Sequence, residues 1–145
     1  MNQISKSALV VYSARQMYEL VDAIDHYPEF LPWCRSSEVL TRTDKEVTAR
    51  LEIAYSGLHK SFTTRNTMEP GRLITMQLVE GPFKKLDGIW TFEQLGEQGS
   101  KVSLDLEFTF SNRILAATIG PAFGKIATSL VDAFTKRAVQ VYGRS

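Results

Sequence analysis

Between Cys34 and Phe110 the chain alternates. Val47, Ala49, Leu51, Ile53 and Tyr55 share one parity, and Thr48, Arg50, Glu52 and Ala54 the other. Val102, Leu104, Leu106, Phe108 and Phe110 alternate with Ser103, Asp105, Glu107 and Thr109. A period of two places the sets on opposite sides of a sheet, so these runs predict strands with one buried and one wet face. Leu86, Gly88, Trp90 and Phe92 share a face of another strand. Turn signals separate the runs at Thr43-Asp44-Lys45, Ser56-Gly57, Glu69-Pro70-Gly71, Gly81-Pro82 and Gly96-Glu97-Gln98-Gly99. The spacing predicts about six strands with short connections, which favour an antiparallel meander.

The flanks have a different period. Residues 3–12 read as a first strand ending in Leu9-Val10-Val11-Tyr12. Ser13 and Gln16 then fit a capping box, and Met17, Leu20, Val21 and Ile24 follow at helical spacing. This helix is expected to stop before Pro28, which disfavours a helical residue ahead of it. Tyr27-Pro28-Glu29-Phe30-Leu31-Pro32-Trp33 reads as a short helical turn and a rigid corner with Trp33 buried. From Asn112 to Tyr142 the helical period returns, with Ile119, Phe123, Ile126, Leu130, Phe134 and Val141 on one stripe. Ser111 or Asn112 caps it. Pro121 predicts a kink there, or a short helix ahead of the long one.

Six strands cannot bury their apolar face alone, and the last helix carries the large apolar stripe. The sheet is therefore expected to curl around that helix, with the first strand completing it. This is an α+β domain spanning residues 1–145, and its length matches one domain. A curved sheet gripping one helix leaves a tapering space that is either plugged or a pocket. Phe30, Leu31, Leu51, Ile53, Trp90, Phe92, Leu106, Phe108, Phe110, Phe123, Ile126, Leu130 and Phe134 are its candidate lining. Phe62, Met68 and Met76 are expected on its far wall. Gly81-Pro82-Phe83 and Ser56-Gly57-Leu58 are expected as mouth loops.

Charge and cysteine content narrow the function. Lysine and arginine number 17 against 16 aspartates and glutamates, a net charge of +1, which argues against DNA and other broad nucleic-acid binding. A local basic patch remains compatible with a structured RNA, and Lys84, Lys85, Lys60 and Arg65 are the candidates, with Arg137 and Arg144 near the C-terminus. Cys34 is the single cysteine, which suits a reducing compartment. Met1 to Lys6 carry no apolar signal core, and the weakly polar stretch Ile114 to Gly124 falls short of the ~20 residues of a membrane span. The expectation is a cytoplasmic protein without a transmembrane segment, its membrane contact at most transient.

Catalytic chemistry is sparse. His26 and His59 have no metal-ligand spacing with Cys34 or a carboxylate. No nucleotide, zinc-protease or serine-hydrolase motif occurs. Cys34 is expected as a packed thiol, and Asp87, Asp105 and Glu107 as solvated groups on polar strand faces. No cofactor is required, and the expectation is a binder rather than an enzyme.

Three segments carry a family resemblance. Tyr27-Pro28-Glu29-Phe30-Leu31-Pro32-Trp33-Cys34, Gly81-Pro82-Phe83-Lys84-Lys85-Leu86-Asp87-Gly88-Ile89-Trp90-Thr91-Phe92 and Leu130-Val131-Asp132-Ala133-Phe134-Thr135-Lys136-Arg137-Ala138 resemble the START-like coenzyme Q-binding and polyketide cyclase/dehydrase family. The chain looks most like its bacterial ribosome association toxin branch. The resemblance implies a helix-grip (START/Bet v-like) fold, a seven-stranded sheet in β-α-α-β6-α order around a hydrophobic tunnel. It implies a bound ubiquinone or other isoprenoid lipid and a link to respiration, as in the mitochondrial relatives. The toxin branch implies instead binding to the large ribosomal subunit and a block of subunit association. The cyclase/dehydrase label implies ring closure of polyketides, for which no inward acid or base is found.

Overall fold

A computed structural model describes residues 2–55 and 57–143, leaving aside the Leu58 side chain. Strand β1 (Asn2–Val10) leads into helix α1 (Ala14–Asp22) and a 3-10 helix (Ile24–Glu29). Six strands follow: β2 (Cys34–Arg42), β3 (Glu46–Tyr55), β4 (Leu58–Glu69), β5 (Leu73–Glu80), β6 (Phe83–Leu95) and β7 (Gly99–Phe110). Helix α2 (Arg113–Tyr142) ends the described chain. The seven strands form one antiparallel sheet in the order β1-β7-β6-β5-β4-β3-β2. The meander is sequential, and β1 completes it by pairing with β7 from Asn2↔Phe108 to Val10↔Ser100.

The strand parities hold. Val102, Leu104, Leu106, Phe108 and Phe110 are all buried, as are Leu86, Trp90 and Phe92 on the neighbouring strand. The capping box also forms: the Gln16 amide donates to Ser13 Oγ at 3.1 Å, and the Ser13 amide to Gln16 Oε1 at 2.9 Å. Asn112 caps α2 by accepting from the Leu115 amide at 2.9 Å.

Four expectations need correction. β1 ends at Val10, and Tyr12 bends inward instead of extending the strand. Its hydroxyl donates to the Gly143 carbonyl, and its own carbonyl accepts from Ser100 Oγ at 2.9 Å. The first helix does stop before Pro28, but already at Ala23 (φ −80°, ψ 61°), so Ile24 falls in the 3-10 helix that also contains Pro28. The break lets the Tyr27 hydroxyl donate to the Val21 carbonyl and Ser37 Oγ donate to that of Ile24 at 2.7 Å, which partners groups the interrupted helix leaves open. α2 is one unbroken helix through Pro121, with no separate short helix ahead of it. By length and composition it could cross a membrane, contrary to the sequence reading. Here it is the core helix, because its apolar face is spent on the sheet.

That face is also shifted. Ile119, Phe123, Ile126 and Phe134 are buried as expected, joined by Ala127, Val131 and Ala138. The small alanines let the helix axis approach the sheet closely. Val141 is 49% exposed. The last turn is held through Tyr142 instead, whose ring lies 5.8 Å from that of Tyr12 and whose hydroxyl donates to the Gln16 carbonyl.

Phe134 is the hub of the packing. It is 1% exposed, and the rings of Tyr27, Phe30 and Trp90 meet it edge-on at 5.4, 5.2 and 5.3 Å. Phe134→Ala is expected to cost roughly 3–5 kcal/mol, the range for emptying a large buried aromatic site. Urea melts check this, read as a fall in midpoint with unchanged slope.

Candidate functional site: a cavity between sheet and helix

Where the residues facing each other across the grip are small, space remains. Ala49 on β3, Thr64 on β4 and Ala127 on α2 leave a partly enclosed cavity of about 90 Å³. Of the candidate lining, Leu51, Trp90, Leu106, Phe123, Ile126, Leu130 and Phe134 surround it, and Phe62 and Met76 form part of the wall as expected. The volume suits a few waters or, with some give of the flexible Met76, a small ring. A long isoprenoid tail exceeds it.

The other candidates lie elsewhere. Phe30 sits behind Phe134, with the Arg137 guanidinium 4.9 Å above its ring centre. Leu31 and Ile53 are packed solid at 1% and 2% exposure. Phe92 stacks behind Trp90 and meets Tyr18 edge-on. Phe108 and Phe110 join Phe83 and Phe123 in an aromatic cluster that plugs one end of the grip. Met68 is buried in the core away from the cavity. The strand residues among these face inward as their parity requires, but they meet large partners, so they do not border this cavity. Phe83 is part of the plug, so Gly81-Pro82-Phe83 closes that end rather than opening it. In the other proposed mouth loop, Ser56 and the Leu58 side chain lie outside the described residues.

The cavity also has walls outside the candidate lining: Ile24, Tyr27, Trp33, Leu86, Ala49, Ala127, Thr64 and Asn66. The last two carried a readable signal. They share parity with Phe62 and Met68 on β4, so two polar side chains occupy inward positions. Both are buried, Thr64 at 8% and Asn66 at 7% exposure, and Thr64 Oγ1 donates to Asn66 Oδ1 at 2.9 Å. Tyr27 is the one titratable side chain on the wall. Burial holds its phenol protonated far above the ordinary range, and its hydroxyl is spent on the Val21 carbonyl.

Gly88 makes room for two of the wall residues. A Cβ there would lie 2.5 Å from Met76 Cε and 2.9 Å from Leu106 Cδ1, both cavity-lining side chains from the adjacent strands. β6 has glycine at this inward position because its neighbours already fill the room.

Outside the cavity, the charged candidates are mostly paired. Lys85 Nζ lies 2.5 Å from Glu107 and 3.7 Å from Asp87. The Glu107 hydrogen bond raises the Lys85 pKa, and Lys85 in turn lowers that of Glu107. Asp87 and Glu107 are thus ion-pair partners rather than simply solvated, and Asp105 accepts from Ser5 Oγ at 2.6 Å. Arg65 pairs with Glu46 at 3.7 Å. Lys60 shares a surface depression with Glu38 and Glu52. Lys84 is exposed and makes no ion pair among the described residues. Arg137 is committed to Glu29 at 3.0 Å and to Phe30; Arg144 lies outside the described residues. His26 is at the surface, 2.6 Å from Glu29, and His59 is exposed. Among the described residues no group of three or more His, Cys, Asp or Glu is placed to hold a metal ion. Cys34 is 4% exposed with its thiol packed against the Ser36 carbonyl at 3.4 Å.

Residues 10–135 match the family described as polyketide cyclase / dehydrase and lipid transport. The chain belongs to that family. Within it, the chain is 46% identical to the ribosome association toxin RatA of Pseudomonas aeruginosa, over 97% of each chain. It is 26% identical to the coenzyme Q-binding protein COQ10 homolog B of Xenopus laevis, over 98% of this chain and 60% of that one. Among solved structures, a START superfamily protein of Mycobacterium smegmatis superposes with a TM-score of 0.80 at 21% identity, covering 96% and 98% of the two chains. The Zhui aromatase/cyclase of a Streptomyces species does so with a TM-score of 0.82 at 16% identity, covering 99% of both. These two establish the helix-grip architecture of the family for this chain and no more.

Burial, with a smaller push from Glu52, raises the Cys34 pKa to about 11. The thiol is therefore protonated at neutral pH, and thiolate appears only as pH approaches that value. Alkylation by iodoacetamide in the folded protein should be slow at pH 7 and keep accelerating beyond pH 9. A plateau near the ordinary thiol pKa, seen by mass spectrometry, would contradict this.

Proposed function

We propose that this chain is a non-enzymatic binding protein that docks on the large ribosomal subunit and hinders subunit association, and that its cavity holds a small apolar ligand. The observation that carries the ribosomal reading is the likeness to the protein named ribosome association toxin, 46% identical over nearly all of both chains. Fold alone would not carry a function; identity of this degree along the whole length goes beyond fold. A cytoplasmic site of action follows from that reading.

The cavity favours the second part. It is walled almost wholly by apolar and aromatic side chains, the usual composition of a small-molecule site. The more distant relative named for coenzyme Q binding supports the same use of the fold. The size of the space favours a ring or head group rather than a whole isoprenoid chain. A cyclase would need an acid or base within reach of the substrate. Tyr27 is the one titratable wall group, and its hydroxyl already has a partner, so the enzymatic reading has the least support.

The two parts call for separate tests. For the first, purified protein should co-sediment with isolated large subunits and reduce 70S formation on adding small subunits, with binding falling as salt rises. Lys84→Glu should weaken co-sedimentation about 10-fold if Lys84 meets a phosphate, because charge reversal replaces attraction by repulsion. Lys85→Ala should do less, since Glu107 already neutralises that lysine. Failure of the wild type to sediment with ribosomes at low salt would remove the ribosomal reading. For the second, Leu130→Trp should fill the cavity, leave a folded protein and abolish uptake of hydrophobic probes. Strong destabilisation of this variant, by more than about 3 kcal/mol, together with a wild type that takes up no probe, would mark a dry, tightly packed core.

A further inference from the structure

Besides the Tyr27 hydroxyl, which is spent on the Val21 carbonyl, and the indole N–H groups of Trp33 and Trp90, the cavity wall has a polar pair on β4 whose hydrogen bonds do not balance. Thr64 and Asn66 project inward from β4, opposite Ala49 and Val47 on one side and Leu78 and Met76 on the other. The Thr64 hydroxyl donates to Asn66 Oδ1 at 2.9 Å, which ties down the amide oxygen. The amide nitrogen of Asn66 has two N–H donors, and it makes no hydrogen bond to any described residue. No side-chain nitrogen or oxygen among the described residues is both fully occluded and unpartnered. The Asn66 nitrogen is therefore reachable, and since the residue is 7% exposed and lines the cavity, it is reached from the cavity. A ligand that covers this donor without offering an acceptor leaves it occluded and unpaired, which is costly, and a ligand that offers one avoids that cost.

The rest of the wall restricts what that acceptor can be. It holds no lysine, arginine or histidine, so a carboxylate would lose its hydration with no cation to offset the loss. It holds no aspartate or glutamate either, so an amine would fare no better. The free donors call for an acceptor oxygen without charge. A carbonyl presents two lone pairs and costs far less to desolvate than a carboxylate. Around that point the wall offers ring faces and edges, with Trp90 and Phe134 at 5.3 Å from one another.

We propose that the cavity selects an uncharged ring compound carrying a carbonyl group, whose oxygen accepts from the Asn66 amide, while Thr64 fixes the orientation of that amide. This rests on the ligand reading above and adds to it the polarity, charge and anchoring atom of the ligand. It also assigns the two residues distinct jobs: Asn66 contacts the ligand, and Thr64 is a positioning residue.

Three probes of similar shape separate the possibilities: cyclohexanone, methylenecyclohexane and cyclohexanecarboxylate. They are titrated into isotope-labelled full-length protein and followed by NMR at the methyl groups of Met76 and Ile126 and at the Asn66 side-chain amide. Cyclohexanone should shift the Asn66 amide protons downfield and methylenecyclohexane should not. Asn66→Leu should weaken cyclohexanone about 10-fold, the upper range for one neutral hydrogen bond, and leave methylenecyclohexane within about 2-fold. Thr64→Val should weaken cyclohexanone less and broaden the Asn66 amide signals as the side chain gains freedom to turn. If Asn66→Leu does not fold, the amide shift in the unmutated protein decides the matter alone. Equal loss of both neutral probes in Asn66→Leu, or an amide unmoved by cyclohexanone, would overturn the role of Asn66 while leaving an apolar ligand site intact. Cyclohexanecarboxylate binding as tightly as cyclohexanone at pH 7 would overturn the preference for uncharged compounds. Methyl signals that respond to none of the three would remove the ligand reading itself.

Discussion

Seven strands present one apolar face, and α2 is the element long enough to cover it. That constraint shapes the rest of the molecule. The sheet has to curl to keep contact with a single rod, and the curl brings β1 and β7 into register at one edge while β2 forms the other. A curled sheet and a single helix diverge somewhere along their length. Large aromatics fill the divergence at one end, where Phe83, Phe108, Phe110 and Phe123 interlock. At the middle, Phe134 makes the contact with Trp90, and the small residues around it leave the cavity. The cavity is a by-product of the grip, kept open because Ala49, Thr64 and Ala127 are too small to close it.

The charges follow the same division. The polar parity of β6 and β7 puts Lys85, Asp87 and Glu107 together on the outer face of the sheet, where they neutralise one another. Exposed pairs of this kind add little to stability. They leave Lys84, at the start of β6, as the cation beside them with no ion pair among the described residues. Inside, the polar groups of the cavity wall are neutral. A surface that can meet an anionic partner and an interior that rejects ions thus lie on opposite sides of a single layer.

Periodicity made the elements legible but not the depth. The run from Val102 to Phe110 fixed the inward face of β7 without error, and Ser13 with Gln16 announced α1. Parity says which side of the sheet a residue occupies; it does not say what stands opposite. Phe108 and Leu106 have the same parity, yet one is in the plug and the other on the cavity wall, because one meets Phe83 and Phe123 and the other meets a gap. Val141 fits the helical stripe and is exposed all the same, since Tyr142 anchors the last turn. The break at Ala23 had no sequence signal, because its compensation comes from the side chains of Tyr27 and Ser37, which helical periodicity does not register. Thr64 and Asn66 are legible as polar residues in inward phase, but neither ionises, so a pattern of titratable residues does not mark them.

Whether the inside and the outside of this protein can influence each other is a question about β6. Its residues alternate between the two sides: Lys85 and Asp87 outward, Leu86 and Gly88 inward. Gly88 is wedged between Met76 and Leu106, so anything that displaces those side chains presses on the β6 backbone at its narrowest point. A rigid strand in a continuous ladder passes on no signal by being touched; coupling needs an element with two arrangements whose balance the ligand shifts. The irregular pairing between Phe83 and Lys85 is where β6 departs from the regular ladder with β7. That irregularity lies beside Lys84 on one side and the aromatic plug on the other. A ligand that moved Met76 and Leu106 would thus press on β6 at Gly88, two residues from Leu86, and the irregularity between Phe83 and Lys85 is the nearest interruption of the ladder with β7.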